Sequence, residues 1–494
     1  MASQRLNGSR PKSGPRSSTP GKDRDQQVAL RERGGGTAPP ATPTLSEYEC
    51  CSVRRPEEYI PYIGAARVEA LKRLAGPVAG RRWVHVNGTL QGGGVAELLQ
   101  GILPLSRGLE LDTRWYALEA GEAFFQVTKK LHHLLQGLDT PLTLEELFGA
   151  YLDAIDAAAQ AQITADLVVV HDPQPAGIIM PGALLGAVLW RCHLDTSTPH
   201  PVVWRFLLPY INQCAGAIFT LPEFIGPGLQ VPVYQILPGI DPLATKNRHY
   251  TEPAAREILA PRLHESGIDP DRPILATVSR YDRHKNQATV LEAFRCLRAE
   301  RRFHPPPYLI FLGNTAADDP EGTAVLAQLQ ARAGEDPDVR FWVDVPNNDC
   351  VVGALLHLAR GLVHVATREG FGLVVTEALW QGTPVIGATV GGIQQQISPG
   401  RTGYLVTPRD AAAIAAAMAR LLDDPAGAAA MGHRGREHVR RHFLLPEVLR
   451  RDLILLRYYT GISRVRPPFR VNGLAYREML QTLWWSPSRA VRRR

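Results

Sequence analysis

The sequence predicts two doubly wound α/β halves joined end to end, and three observations lead there. Short apolar runs alternate with helical patterns along most of the 494 residues, as buried parallel strands and their crossover helices do. The alternation pauses at a proline-marked connection, Pro238 to Pro273, and then restarts. The glycine-rich and charged motifs of both halves directly follow apolar runs, the place where open α/β sheets bind ligands.

Taken in order, residues 1–45 are polar, basic and rich in Ser, Pro and Gly, and read as a disordered tail. A first domain spans 46–245. A helix is expected over Glu57–Ala75, then a strand at Trp83–Val86, the glycine turn Gly92-Gly93-Gly94 and a helix from Val95. Further strands are read at Leu111–Leu118, Leu167–Val170, Ala187–His193, Ala217–Phe219 and Val233–Ile236, with a helical region over Ala123–Ala161. A linker covers 246–272. The second domain, 273–445, has strand candidates at Ile274–Val278, Tyr308–Leu312, Val339–Trp342, Leu362–Val365 and Pro384–Gly387. A final helix, 446–463, starts with a proline, which suits a first turn. A basic extension, 464–494, ends the chain.

The net charge of +7 belongs to the two ends. Residues 1–45 carry eight Lys/Arg against three acids, and 464–494 carry eight Arg against Glu478. The remaining 46–463 therefore has a net charge of −5. That balance gives no basis for nucleic-acid recognition by the folded part. No apolar run reaches the length of a membrane span. The six cysteines are scattered, without C-x-x-C spacing or a disulfide framework, which fits a reducing cytoplasm.

Four places carry chemistry. Gly93 and Gly94, before a helix, let the backbone approach a phosphate; the pattern is not G-x-G-x-x-G, which argues against a dinucleotide oxidoreductase. Arg280 and Lys285 lie five residues apart after the strand ending at Val278. Both could reach one diphosphate, where a cation at 4 Å is worth roughly 4 kcal/mol at an effective dielectric near 20. His171-Asp172 and Arg191-Cys192-His193-Leu194-Asp195 end two strands of the first half, and a histidine at such a place can bond a sugar hydroxyl. Finally, Glu369-Gly370-Phe371-Gly372-Leu373 follows an apolar strand, and Glu377 lies about two helical turns beyond Glu369. Free N–H groups at that helix start favour an anion, and two carboxylates beside it suit hydroxyl-rich groups such as a sugar and a ribose. Asp269-Pro270-Asp271 and Asp336-Pro337-Asp338 sit in proline turns and read as loops rather than metal sites.

Together these sites resemble the family-4 retaining glycosyltransferases, over roughly residues 55–460. Within that family the chain is most similar to the trehalose synthases of the glycosyltransferring type. That closer resemblance rests on Asn87-Gly88-Thr89-Leu90-Gln91-Gly92-Gly93-Gly94, His171-Asp172-Pro173-Gln174-Pro175, Trp190-Arg191-Cys192-His193-Leu194-Asp195 and Arg368-Glu369-Gly370-Phe371-Gly372-Leu373. The resemblance implies the GT-B fold: two Rossmann-like domains facing across a cleft, an acceptor domain followed by a nucleotide-sugar domain, with the C-terminal helix returning to the first.

It also implies roles. Gly93 and Gly94 would offer N–H groups to the diphosphate, Arg280 and Lys285 would hold its oxygens, and Glu377 would bind the ribose. Glu369 would contact the transferred glucose, with the backbone of Gly370, Phe371, Gly372 and Leu373 beneath it. His193 would lie by the reacting sugar. Asp172 and Asp195 would shape the acceptor side, and His171 and Arg191 would be among the residues that bind substrate or nucleotide. The implied reaction moves glucose from UDP-, ADP- or GDP-glucose to glucose, giving α,α-trehalose without a cofactor or essential metal. Nucleotide sugar and glucose or trehalose are the expected partners, with no membrane and a homodimer left open. A retaining trehalose phosphorylase and a transferase with another acceptor stay open as alternatives, as does a non-catalytic sugar-nucleotide sensor. Where the family usually has glycine, this chain has Asn286.

Overall fold

The computed structural model describes residues 30–32, 43–50, 52–90, 93–138, 140–180, 182–314 and 320–471. The rest of both basic ends, with Gln91 and Gly92 of the glycine turn, lies outside them.

The first half is built on an eight-stranded sheet. Its strands are β1 (Leu30–Glu32), β2 (Thr44–Cys50), β3 (Arg82–Asn87), β4 (Asp112–Glu119), β5 (Ile163–His171), β6 (Leu184–Cys192), β7 (Gly216–Phe219) and β8 (Val233–Gln235). They lie in the order β1-β2-β4-β3-β5-β6-β7-β8. From β4 to β8 all neighbours are parallel, and β1 and β2 add an antiparallel edge. The expected disorder of residues 1–45 therefore does not hold at Leu30–Glu32 or Thr44–Leu45. The alternation in Thr44-Leu45-Ser46-Glu47-Tyr48 buries Leu45 and Tyr48 only, which is too weak a pattern to stand out from a polar tail.

The second half holds β9 (Ile274–Val278), β10 (Tyr308–Gly313), β11 (Val339–Val343), β12 (Gly361–His364), β13 (Val385–Ala388) and β14 (Gly403–Val406). All are parallel, in the order β11-β10-β9-β12-β13-β14. Every residue of β9, β10, β12 and β13 is buried, as expected for strands covered on both faces. Chain order reverses between β9 and β12, and in the first sheet between β3 and β5. These are the points where an open sheet leaves a crevice outside its strand ends. All four motif groups follow the strands around these two crevices.

Two expectations for helices need correction. The region Ala123–Ala161 is two helical stretches, Glu122–Leu135 and Glu146–Ala159. Gly137 (φ 71°) and Pro141 interrupt it. Thr143 and Glu146 then restart it reciprocally: the Glu146 carboxylate accepts from the Thr143 N–H at 2.9 Å, and the Thr143 hydroxyl accepts from the Glu146 N–H at 3.1 Å. The linker 246–272 contains a helix of its own, Glu252–Glu265, capped by the Thr251 hydroxyl.

The final helix, Leu445–Tyr459, returns to the first half. The Leu445 N–H donates to the Ile240 carbonyl at 2.8 Å. The Tyr459 hydroxyl donates to the Ala215 carbonyl at 2.9 Å. Between these ends, Arg191 and Asp452 form an ion pair at 3.2 Å, with both side chains under 5% exposed. Residues beyond the helix cover the free edge of β8: the Gln235 N–H donates to Phe469 and the Val471 N–H to Val233.

Arg191 is thus a structural anchor rather than a substrate contact. Burial raises the Asp452 carboxyl even beside it, the usual cost of a dry ion pair. Asp452→Ala leaves Arg191 buried and uncompensated. It should lower the unfolding free energy by about 3–5 kcal/mol in urea titrations; a loss below about 1 kcal/mol would show that the pair does not anchor the helix.

Candidate functional site in the cleft between the halves

The second-half wall of the site is built around Glu369, in the loop after β12. Its Oε2 lies 2.6 Å from Lys285 Nζ and 2.9 Å from His364 Nε2. Burial alone would raise this carboxyl. The Lys285 charge and the His364 bond outweigh burial and hold it well below the ordinary carboxylate range. Glu369 is therefore ionised at any working pH. Lys285 arrives from the loop after β9, and the two loops are strapped together. The Thr367 N–H donates to the His284 carbonyl at 2.8 Å, and the Asn286 amide donates to Val365 O at 3.0 Å. Asn286 has φ 58° and φ/ψ in the left-handed region, which explains a glycine preference there and why asparagine is tolerated.

Gly372 (φ 79°) is forced by closeness as well as by φ. A Cβ there would sit 3.2 Å from Glu369 Cγ. Behind the loop, Gln396 Nε2 donates to Phe371 O at 2.6 Å, and Gly392 N–H to Gly370 O at 3.2 Å. Phe371 packs inward against Phe443, so only its backbone belongs to the loop surface. The helix Leu373–Gln381 starts here, and Leu373 approaches Gly94 of the other half: a Cβ on Gly94 would be 3.3 Å from Leu373 Cδ1. Gly93 (φ 81°) and Gly94 are exposed at the start of the helix Gly94–Gly108. Gly370 meets the first half as well, since a Cβ on it would lie 2.8 Å from the His193 carbonyl oxygen. Arg280 is exposed and makes no ion pair among the described residues. Its charge reaches His132 of the first half.

Glu377 is buried, and its carboxylate is 2.8 Å from Lys246 Nζ, which is also 2.8 Å from Glu97. The three groups join the first half, the linker and the second half. Burial opposes the Lys246 charge, but the two carboxylates outweigh it and raise its pKa; burial also raises Glu97. Sequence reading missed both partners. Glu97 looks like any first-turn acid, and Lys246 sits in a segment with no pattern at all. His364 was missed too, although a lone imidazole inside Leu362-Val363-His364-Val365 is a visible anomaly.

The first-half wall differs from expectation. His171 was expected to bond a sugar hydroxyl. It is fully buried, with both ring nitrogens engaged at 3.0 Å, one by His85 and one by His193. Asp172 (φ 59°) is 7% exposed, and its Oδ1 accepts the His193 N–H at 2.7 Å. It holds the His193 backbone in place instead of lining the acceptor side. Asp195 accepts from the Ser197 N–H at 3.0 Å and is half-buried. Of this group His193 remains at the cleft, partly exposed.

Comparison with known proteins fits this geometry. The family described as "Trehalose synthase, N-terminal domain" matches residues 85–226, and "Glycosyl transferases group 1" matches 263–438. A trehalose synthase from Rubrobacter xylanophilus is 39% identical over 400 residues, spanning 79% of this chain and 94% of that protein. The chain belongs to the trehalose synthase family. A trehalose phosphorylase from Pleurotus pulmonarius is more distant, at 28% identity, with 78% of this chain and 58% of that protein covered. The fold is GT-B: an α,α-trehalose-phosphate synthase (UDP-forming) from Burkholderia xenovorans, in complex with glucose-6-phosphate, superposes with a TM-score of 0.61 at 16% identity. The superposition covers 76% of this chain and all of that one. The family assignment makes this a glycosyltransferase of trehalose-related chemistry. Among the described residues, no helix is long and apolar enough to cross a membrane.

Asp172 offers a direct test of the first-half wall. Burial pushes its carboxyl up to about 7, against the opposing pull of the His193 N–H and Arg191. A carboxyl raised on folding binds its proton more tightly in the native chain. Its stabilising contribution is full below its unfolded value of about 3.9 and is lost as pH rises through about 7. Asp172→Asn keeps an acceptor oxygen and does not titrate. The wild type's Tm advantage over this variant should shrink steadily from about pH 4 to about pH 7; parallel Tm profiles would contradict the assignment.

Proposed function

We propose that this protein transfers glucose, with retention of configuration, from a nucleoside diphosphate glucose to the anomeric hydroxyl of a second glucose, forming α,α-trehalose. The observation that carries the reading is the ion cluster Lys285–Glu369–His364 at the switch point of the second sheet, facing His193 and Gly94. A permanently ionised carboxylate beside a lysine and a helix start is suited to gripping sugar hydroxyls next to a diphosphate. Arg280 and Lys285 stabilise the diphosphate as the bond from its oxygen to the anomeric carbon breaks. That oxygen takes the proton of the acceptor hydroxyl on the same face of the sugar, and the acceptor oxygen bonds to the anomeric carbon. No side-chain nucleophile or metal is needed in this scheme, and catalysis is mostly positioning and charge stabilisation.

Glu377 binds the ribose hydroxyls in this reading, with Lys246 holding the carboxylate from behind. Base contacts would come from the loop around Val343–Asn347. A phosphorylase reading leaves Glu377 without a ribose, and the relatives with that activity are the more distant ones. Trehalose incubated with UDP, ADP or GDP should release glucose and form the nucleoside diphosphate glucose, read by chromatography. In the same assay Arg280→Ala should slow turnover about 10²–10³-fold, the scale of losing one preorganised donor. Glucose release with inorganic phosphate alone would replace this reading by the phosphorylase one.

A further inference from the structure

The first half contains a row of three imidazoles that glucosyl transfer does not by itself require. His85 lies in the middle of β3, His171 ends β5 and His193 follows β6. His85 Nδ1 is 3.0 Å from His171 Nε2, and His171 Nδ1 is 3.0 Å from His193 Nε2. The His171 and His193 rings are nearly parallel, at 13°. His85 and His171 are fully buried, and the Arg191 charge lies close to all three. Burial and that charge both disfavour protonation, so each ring carries one proton.

With one proton per ring, the row has two patterns. Protons run either outward, from His85 Nδ1–H to His171 Nε2 and from His171 Nδ1–H to His193 Nε2, or all inward. The inward pattern ends in a His85 Nε2–H, and that nitrogen is buried with no partner. The outward pattern leaves only a lone pair there, which is the less rare kind of unmet group. In the outward pattern His193 carries its proton on Nδ1. That nitrogen has no partner among the described residues, on a residue partly exposed at the cleft.

We propose that His85 and His171 are positioning residues that fix His193 as the Nδ1–H tautomer, so that its free nitrogen donates a hydrogen bond to a hydroxyl oxygen of the sugar bound in the cleft. Neither inner histidine touches substrate. The orientation of His193 is doubly held, since Asp172 grips its backbone N–H and the row grips its ring. This role rests on the glucosyl-transfer reading for its purpose. The tautomer itself is a property of the free protein.

The tautomer is read from two-bond ¹⁵N–¹H correlation spectra of the full chain without substrate. The wild type should show His193 protonated on Nδ1. His171→Leu removes the donor to His193 Nε2; it should shift His193 toward the Nε2–H form and lower kcat about 10- to 100-fold, the scale on which outer partners of a functional histidine act, with donor KM little changed. His171→Asn, whose amide can donate from the place of Nδ1, should keep the tautomer and restore most of kcat. An Nε2–H His193 in the wild type overturns the proposal whether or not the variants fold. So does a folded His171→Leu with wild-type kcat. Either result leaves the transfer reading standing, whereas absence of any glucosyl transfer by the wild type removes that reading and leaves the tautomer measurement valid.

Discussion

The buried contact of Glu369 with Lys285 and His364 is the constraint around which the second half is arranged. A carboxylate in a dry crevice stays charged only if cations and donors are brought to it. The fold supplies them from two strands adjacent at the switch point, β9 and β12, whose loops are strapped by His284, Asn286 and Thr367. Several backbone peculiarities follow from that arrangement. Gly372 takes a left-handed conformation against the Glu369 side chain. Gly391 (φ 48°) comes so near the Glu369 carbonyl that no Cβ would fit. Gln396 closes the loop from behind. A carboxylate held this firmly is suited to fixed recognition and poorly suited to exchanging protons.

The first half meets this cluster with a wall of a different kind. Its histidines are neutral and linked in series, where Lys285 and Glu369 of the second half are charged and paired. Arg191 belongs to the fold, tying the return helix down through Asp452 while biasing the nearby imidazoles toward neutrality. In the Glu97–Lys246–Glu377 cluster the first half, the linker and the second half share a single set of charges. It couples the carboxylate assigned to the ribose with the helix that begins at the glycine turn. A ligand held at Glu377 would thereby be linked to the relative placement of the halves.

Much of this was legible in the sequence, and the reasons are local. Buried parallel strands are continuous apolar runs, so β9, β10 and β12 could be placed within a residue or two. The glycines at 370 and 372 between a strand and a helix marked the loop. The pairing of Lys285 with Glu369, 84 residues apart, was not legible, because it depends on which strands become neighbours. Nor was the burial of His171: a histidine at a strand end looks the same whether it faces a ligand or two other histidines. Lys246 had no signal, since a lysine in a connection is ordinarily solvated. The edge strands β1 and β2 and the short β14 lacked the apolar continuity that betrays a central strand.

The central claim is that Lys285 and Glu369 work as one unit, the lysine aiming and charging the carboxylate while both face the donor. A double-mutant cycle on kcat measures this directly, with Lys285→Met, Glu369→Gln and the pair assayed for glucosyl transfer. If the two act as a unit, the double variant should be about as slow as the slower single variant. If the two losses instead multiply, the residues act independently, and the cluster is not the organising element of the site.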